Sequence, residues 1–321
     1  MTQVKLVEID ADEAEQRLDK WFLRHFPALG HARLHKLLRT GQVRVDGHRV
    51  QAGLRLKAGQ TVRVPPLAPE QAKPAKTADT SAGRGSDEDP RHLRALVLYR
   101  DHDMIAINKP AGLAVQGGSG QTKHLDAMLG ALAFDAAEPP RLVHRLDRDT
   151  SGVLLLARNA QAARFLTRAF RDGAIAKIYW AVVVGVPRPR HGTIDLALAK
   201  LPGRGGERMV AADDAGKTAV TRYRVLDHAG DRAAWVELEP LTGRTHQLRA
   251  HCAALGVPIL GDGKYGGRGA FLPGLESVRG VHLHARTLTV KLPAGGEVTI
   301  TAPLPAAMRA TFRALGFTAP R

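Results

Sequence analysis

The chain of 321 residues contains a single cysteine, Cys252. That excludes an internal disulfide and any cysteine-built zinc site. A reducing cytoplasm suits such usage, and the thiol reads as a buried structural group. Aromatic residues make up only 5% of the chain, which argues against a single-strand binder built from stacking platforms. Long apolar runs are absent. AVVVGV at 181–186 falls far short of the roughly 20 residues that span a bilayer. MTQVKLVEIDADEAE carries early acids and no apolar core, so no export signal is read there. No fixed-period repeat is visible. Acids are scarce beside bases: 31 Asp and Glu face 47 Lys and Arg, a formal net charge of +16. A surplus of that size draws polyanions. With no membrane signal, nucleic acid is the expected partner.

Composition divides the chain. Residues 67–93, LAPEQAKPAKTADTSAGRGSDEDPRHL, hold almost no large apolar side chain. They cannot bury a core and read as a flexible linker. The unit before it, 12–66, places Leu18, Trp21 and Phe22 at helical spacing, with Arg17, Lys20 and Arg24 on a second face. A second helix carries Leu34, Leu37 and Leu38 inward and a basic row of Arg33, Lys36 and Arg39, and stops at Gly41. VRVDGHRV, which includes Arg44, reads as a hairpin turning on Asp46-Gly47. Residues 16–64 hold eleven Lys and Arg against two Asp, a net of +9. The acids that balance an ordinary solvated face are missing, which points to phosphate binding. The segments RLDKWFL, RLHKLLRTGQVRVDGHRV and LKAGQTVRV resemble an S4 domain. That resemblance implies a small α/β module that binds structured RNA.

Residues 94–321 form the larger unit. RALVLYRD, MIAINKP, VLLLAR, YWAVVVG, AVTRYRVL, AAWVELEP and EVTITAP read as strands. Helices are expected at 123–133, 160–172 and about 245–255. Strands dominate without regular alternation, so a mixed α+β sheet is expected. AGKT at 215–218 lacks the glycine a phosphate loop needs five positions before Gly216, where Ala211 stands, so ATP is not expected. GGSG at 117–120 reads as a flexible loop. His246 and His251 are five apart and have no acid at ligand spacing, so no metal is expected.

Chemistry concentrates in three clusters. HRLDRDTSG, 144–152, puts two arginines, two aspartates and a histidine before the apolar VLLLA. Asp147 and Asp149 are too rigidly related to flank a sugar as a glycosidase pair does. Asp149 with Thr150, Ser151 and Gly152 reads as a turn, its carboxylate bonded to local N–H groups. Asp147, between Arg145 and Arg148, reads either as a structural ion pair or as an ionised nucleophile or base. TGRTHQLRAHCAALG contains Arg244 and Arg249. Thr245 is expected to cap a helix that starts with His246 and Gln247 and ends at Gly256. AKIYWAVV opens a strand on Tyr179 and Trp180, one of which should face inward.

Together HRLDRDTSG, the K-x-Y of Lys177–Tyr179, and GRTHQLRAH followed by GDGKYG resemble the RluA family of pseudouridine synthases. NKPAG at 108–112 and VQGGSG at 115–120 resemble further family segments. LVHRLDRDTSGVLLLA and the GGSG loop resemble its ribosomal large-subunit type. The resemblance implies isomerisation of uridine to pseudouridine in large-subunit (23S) ribosomal RNA, with no cofactor and no metal. It implies that Asp147 is the catalytic carboxylate and that Arg249 pairs with it. It implies that Tyr179 stacks on the flipped base and helps at C5, and that Arg145 fills the gap left in the RNA. His144, Arg148 and Asp149 support the motif. Arg33, Lys36, Arg39, Arg44, Arg244 and His246 are expected to bind RNA. A cytoplasmic monomer is expected. The same chemistry on transfer RNA, or a non-catalytic assembly factor, are the competing readings.

Overall fold

The computed structural model describes residues 4–26, 29, 31–67, 90–117, 124–201, 208–212, 216–275, 279–293 and 295–318. The chain falls into two compact units, Met1–Arg84 and Gly85–Arg321. Of the expected linker, 68–89 lie outside the described residues, as do 118–120 of the GGSG loop.

The smaller unit opens with β1 (Lys5–Glu8), ahead of residue 12 where the sequence pattern begins. Only Val7 of that strand is even half-buried, so no alternation marks it. In α1 (Leu18–His25) the side chains of Leu18, Trp21 and Phe22 are fully buried. They meet Leu34, Leu37 and Leu38 of α2 (His31–Arg39) in one core. Gly41, at φ +69°, ends that helix in the left-handed conformation glycine tolerates. β2 (Arg44–Val45) and β3 (His48–Arg49) form the hairpin. Its turn residues Asp46 and Gly47 sit at φ 49° and 79°, as a type I′ turn demands. With β4 (Thr61–Val64) the sheet order is β1-β4-β2-β3, antiparallel throughout.

The buried Glu13 ties this core together. Its carboxylate accepts from Trp21 Nε1 at 2.8 Å and faces His25 Nε2 at 2.6 Å. The Trp21 hydrogen bond, followed by His25, holds the carboxyl below its ordinary range against the opposing effect of burial. A depressed folded-state pKa means that stability is present above the unfolded value and is lost as pH falls through the folded one. Glu13→Ala should cost about 2 kcal/mol at neutral pH, because it strands a buried indole N–H. The difference from the parent should shrink in acid, which urea unfolding at several pH values would read.

The larger unit begins with α3 (Pro90–Ala95), which takes Arg94 and Ala95 out of the expected strand. β5 (Val97–Arg100) and β6 (Met104–Lys109) follow. The helix expected over 123–133 is a 3-10 segment, Leu125–Leu132. Next come β7 (Arg141–Leu142), β8 (Ser151–Ala157), α4 (Ala160–Arg171) and β9 (Ala176–Val184). β10 (His191–Asp195), β11 (Leu198–Leu201) and β12 (Arg208–Ala211) precede the long hairpin of β13 (Val220–Ala229) and β14 (Ala233–Pro240). The chain continues through α5 (Gln247–Ala254), α6 (Gly263–Gly266), β15 (Leu283–Lys291), β16 (Glu297–Thr301) and α7 (Ala306–Leu315).

Among the described residues ten strands form one sheet, with the path β10-β13-β14-β9-β15-β8-β6-β5 and β16 and β7 at its sides. Among the described residues only β8 and β15 pair in parallel, so the sheet is mixed and mainly antiparallel, as expected. β8, fully buried, lies near the middle. At its start Gly152 adopts φ +113° and lies against the backbone of Ala285, where a Cβ would sit 2.2 Å from the carbonyl oxygen. The glycine of HRLDRDTSG is thus fixed by close strand approach. β9 sends Trp180 into one core, beside Trp235 and Phe312, and Tyr179 to the opposite face. Both aromatics are therefore packed, on two faces.

Candidate active site

The three clusters converge. A cavity of about 370 Å³ is lined by Arg145, Asp147, Tyr179, Arg244, His246 and Arg249, among others. Asp147 and Arg145 reach it from the loop that feeds β8, Tyr179 from β9, and Arg244, His246 and Arg249 from the start of α5.

The Asp147 turn is held from beneath. Thr150 N–H donates to the Asp147 carbonyl at 3.2 Å. Lys109, fully buried, donates from Nζ to the carbonyls of Pro110 (2.9 Å), Leu113 (2.9 Å) and Arg148 (3.1 Å). Gly112 N–H adds a bond to Arg148 O at 2.8 Å, and Arg148 Nε returns one to Gly112 O at 3.1 Å. The NKPAG segment therefore clamps the HRLDRDTSG turn. Burial pulls the Lys109 ammonium down to about 8, while Asp149 and Asp147 oppose the fall. Lys109→Met should cost about 3 kcal/mol by leaving carbonyls unpaired. A loosened turn should slow turnover about 100-fold, since displacements near 1 Å have such effects. Urea unfolding and single-turnover rates would check both figures.

His144 packs its ring on Phe170 at 4.1 Å and accepts Leu155 N–H on Nε2 at 2.8 Å. Burial, with nearby Lys177 second, pushes it down to about 3, so it stays neutral. Its role is to pin the loop onto β8. Asp149 departs from expectation. The turn closes through backbone, and among the described residues no hydrogen bond joins its carboxylate to local N–H groups. The flanking arginines also leave Asp147 alone. Arg148 points to Gly112 and Arg145 is exposed.

Arg249 differs most from expectation. It forms a buried bidentate pair, Nε and Nη2 each 2.7 Å from a carboxylate oxygen of Asp262. The expected pairing with Asp147 is not made. Asp262 lies at the N-cap of α6, where it also accepts Tyr265 N–H at 3.3 Å, and its two oxygens match the guanidinium fork. Tyr265 sits under the same guanidinium, 5.1 Å from ring centroid to Cζ. Neither residue has a role in the sequence reading. The GDGKYG segment that holds them carried only a resemblance, and no spacing links Asp262 to Arg249.

Among the described residues Asp147 faces His246, whose Nε2 is 4.0 Å away; both side chains are 17% exposed. His246 takes a left-handed φ of 52° at the start of α5, without a side-chain cap, where Thr245 was expected to cap. Gln247 supports that turn instead, accepting from Thr242 Oγ1 (2.7 Å) and Arg244 N–H (3.0 Å). Met209 N–H donates to the Tyr265 hydroxyl at 2.9 Å, and that hydroxyl lies 3.0 Å from His246 Nδ1. A hydroxyl that accepts from Met209 is free to donate to Nδ1. The neutral ring then carries its proton on Nε2, facing Asp147. Burial holds His246 below its ordinary range, with Asp147 opposing. Burial and the Asp147 charge push the Tyr179 phenol up, which keeps it neutral.

Gly256, at φ +76°, follows the end of α5 as expected. His251 is buried there with both ring nitrogens engaged, by Thr221 Oγ1 (2.9 Å) and Leu196 O (3.2 Å). Arg244 lies at the pocket edge and donates to Thr218 O at 3.0 Å. In the smaller unit Lys36 and Arg39 are exposed, and Arg33 is half-buried. Arg44 donates to the carbonyls of Gly41 (3.2 Å) and Gly47 (3.1 Å), bracing the hairpin. Arg17 is paired with Asp19 at 2.6 Å.

Residues 103–254 match the family model described as RNA pseudouridylate synthase. The chain is 34% identical to ribosomal large subunit pseudouridine synthase C of Vibrio parahaemolyticus, over 94% of both chains. It is 38% identical to RNA pseudouridine synthase 4, mitochondrial, of Arabidopsis thaliana over 81% of its own length, and spans 62% of that relative. Among solved structures, human RNA pseudouridylate synthase domain containing 4 superposes with a TM-score of 0.61 at 31% identity, covering 72% of this chain and 97% of that one.

Proposed function

The chain belongs to the RNA pseudouridylate synthase family, and on that premise we propose that it converts chosen uridines of large-subunit ribosomal RNA to pseudouridine. The observation that carries the choice of RNA is coverage. The likeness to relatives named for the ribosomal large subunit runs through both units, not only through the catalytic one. The basic smaller unit acts as an S4-like RNA-binding module, in which Arg33, Lys36, Arg39 and Arg44 meet phosphates. We place the protein in the cytoplasm as a monomer.

The chemistry follows from the pocket. A stacked uridine hides its glycosidic carbon, so the nucleotide must flip into the cavity. Arg145, exposed at the rim, fills the gap by stacking its planar guanidinium. Asp147 then acts at the ribose, either attacking C1′ or removing a C2′ proton. The N1–C1′ bond breaks with its electrons on the uracil, which turns; C5 then bonds to C1′ as the carboxylate leaves C1′ or the proton returns to C2′, and C5 loses its proton while N1 gains one. Both routes need a charged carboxylate not tied up by a strong partner. The wide contact to His246 and the diversion of Arg249 to Asp262 meet that need. Tyr179 supplies a neutral phenol that stacks on the base.

Unmodified large-subunit RNA and transfer RNA, each incubated with the protein and digested to nucleosides, would test the choice of RNA. Pseudouridine should form in the ribosomal RNA. Product in transfer RNA alone would replace that substrate, and product in neither would favour an assembly factor. Removing residues 1–89 should weaken RNA binding and flatten its salt dependence, while a short RNA is still turned over. Loss of turnover at saturating RNA would contradict the modular division.

A further inference from the structure

Beside the active-site cavity runs a second groove, of about 390 Å³, that no motif predicts. Its walls carry four arginines: Arg141 before the Asp147 loop, and Arg164, Arg168 and Arg171 on α4. Ala160 and Ala163 line it too, and small side chains there let a ligand come close to the helix. Thr167 and Arg171 line both this groove and the active-site cavity, so the two adjoin.

The helix was built with one face for the core. Ala162 and Leu166 are buried, and Phe165, Ala169 and Phe170 pack beside them. Arg164, Arg168 and Arg171 recur at steps of four and three on the outer face, a row about 10 Å long at 1.5 Å rise per residue. No acid occurs between 160 and 171. An acid three or four residues away can pair with a helical arginine; Arg164 has none at that spacing, and the row shares a single one, past the helix end. Asp172, at the helix end, is shared by Arg168 (3.4 Å) and Arg171 (3.0 Å), whose side chains are 77% and 72% exposed. Arg141 pairs with the exposed Glu138 at 2.6 Å. Such open pairs are weak and exchange readily for a stronger anion. Arg164 has no partner among the described residues.

We propose that this groove is a phosphate track for the RNA strand that leads into the active site. The proposal rests on the isomerase reading and adds the path of the flanking nucleotides. A strand held there would meet the α4 row on its way to the cavity that Arg145 and Arg244 also line. The groove carries positive charge and no stacking platform, so it reads backbone and not bases. It holds whichever strand the smaller unit delivers and contributes nothing to the choice of uridine.

The test is binding of a fluorescent single-stranded uridine 12-mer to the full chain and to the double variant Arg164→Gln/Arg168→Gln. Glutamine and arginine have similar helix propensity, so α4 should persist. The double variant Arg309→Gln/Arg313→Gln on α7, a helix that packs in the core of Trp180 and Trp235, makes the same charge change away from the groove. The α4 variant should bind about tenfold more weakly near 0.1 M salt, and its salt slope should drop by about 1.4, two contacts at about 0.7 each. The α7 variant should match the parent. Equal affinity and slope for parent and α4 variant would overturn the track, as would an equal loss in the α7 variant. Displacement of the RNA by oligo-glutamate at equal concentration would make the groove an acidic-peptide site and also overturn it. Binding is read without turnover, so an arginine-dependent slope in a protein that makes no pseudouridine would sink the isomerase reading and leave the track standing.

Discussion

Asp147→Asn should fold, bind RNA and form no pseudouridine. The exchange keeps the shape of the side chain and removes its charge. An amide is neither a nucleophile toward C1′ nor a base toward the C2′ proton, so both routes close together. Stability should change little. The carboxylate makes no hydrogen bond among the described residues, and the histidine it faces is 4.0 Å away. The loop is held by other groups, chiefly Lys109 through the backbone of Arg148. Thermal unfolding should therefore match the parent within a few degrees, because a change below about 0.5 kcal/mol moves a domain of this size only that far. An inactive but unfolded variant would shift the role of Asp147 from chemistry to architecture.

The second large effect is expected at Asp262. Its side chain is 1% exposed and that of Arg249 is 4% exposed. Asp262→Ala leaves a guanidinium buried without its carboxylate, which should cost about 3–5 kcal/mol. Part of that charge would turn toward Asp147, the nearby carboxylate that also acts on Arg249. A direct pair would tie up the catalytic group, so turnover should fall further than the loss of folded protein explains. Replacing both members, Arg249→Met with Asp262→Leu, should recover much of the stability, since a buried pair is often matched by apolar residues of similar volume. Activity should not return. Urea unfolding of the single and double variants, with rates per folded molecule, separates the two effects. A double variant as active as the parent would remove Arg249 from the site's working parts.

Much of this was legible in the chain. The helix positions of Leu18, Trp21 and Phe22, the Asp46-Gly47 hairpin, the buried β8 and the meeting of Asp147, Tyr179 and Arg249 all follow local pattern or motif. What escaped was long-range. β15, LHARTLTVK, alternates polar residues and looks like an edge, yet it lies between β9 and β8. Its His284 is buried against Ser151 Oγ at 2.9 Å, a partner 133 residues away that sequence cannot supply. Asp262 and Tyr265 were invisible for the same reason, since their partners lie on another element. The left-handed His246 carries no glycine to mark it, so sequence puts the cap one residue early, at Thr245. The 3-10 segment at Leu125–Leu132 has helical apolar spacing, and a period alone does not separate the two helices.

The central claim is that Asp147 carries out uridine isomerisation in large-subunit ribosomal RNA. Nucleotide-resolved mapping of pseudouridine on that RNA, unmodified beforehand and treated with parent or Asp147→Asn, tests it most directly. The account predicts product at discrete uridines with the parent and none with the variant. Product with both proteins would contradict it.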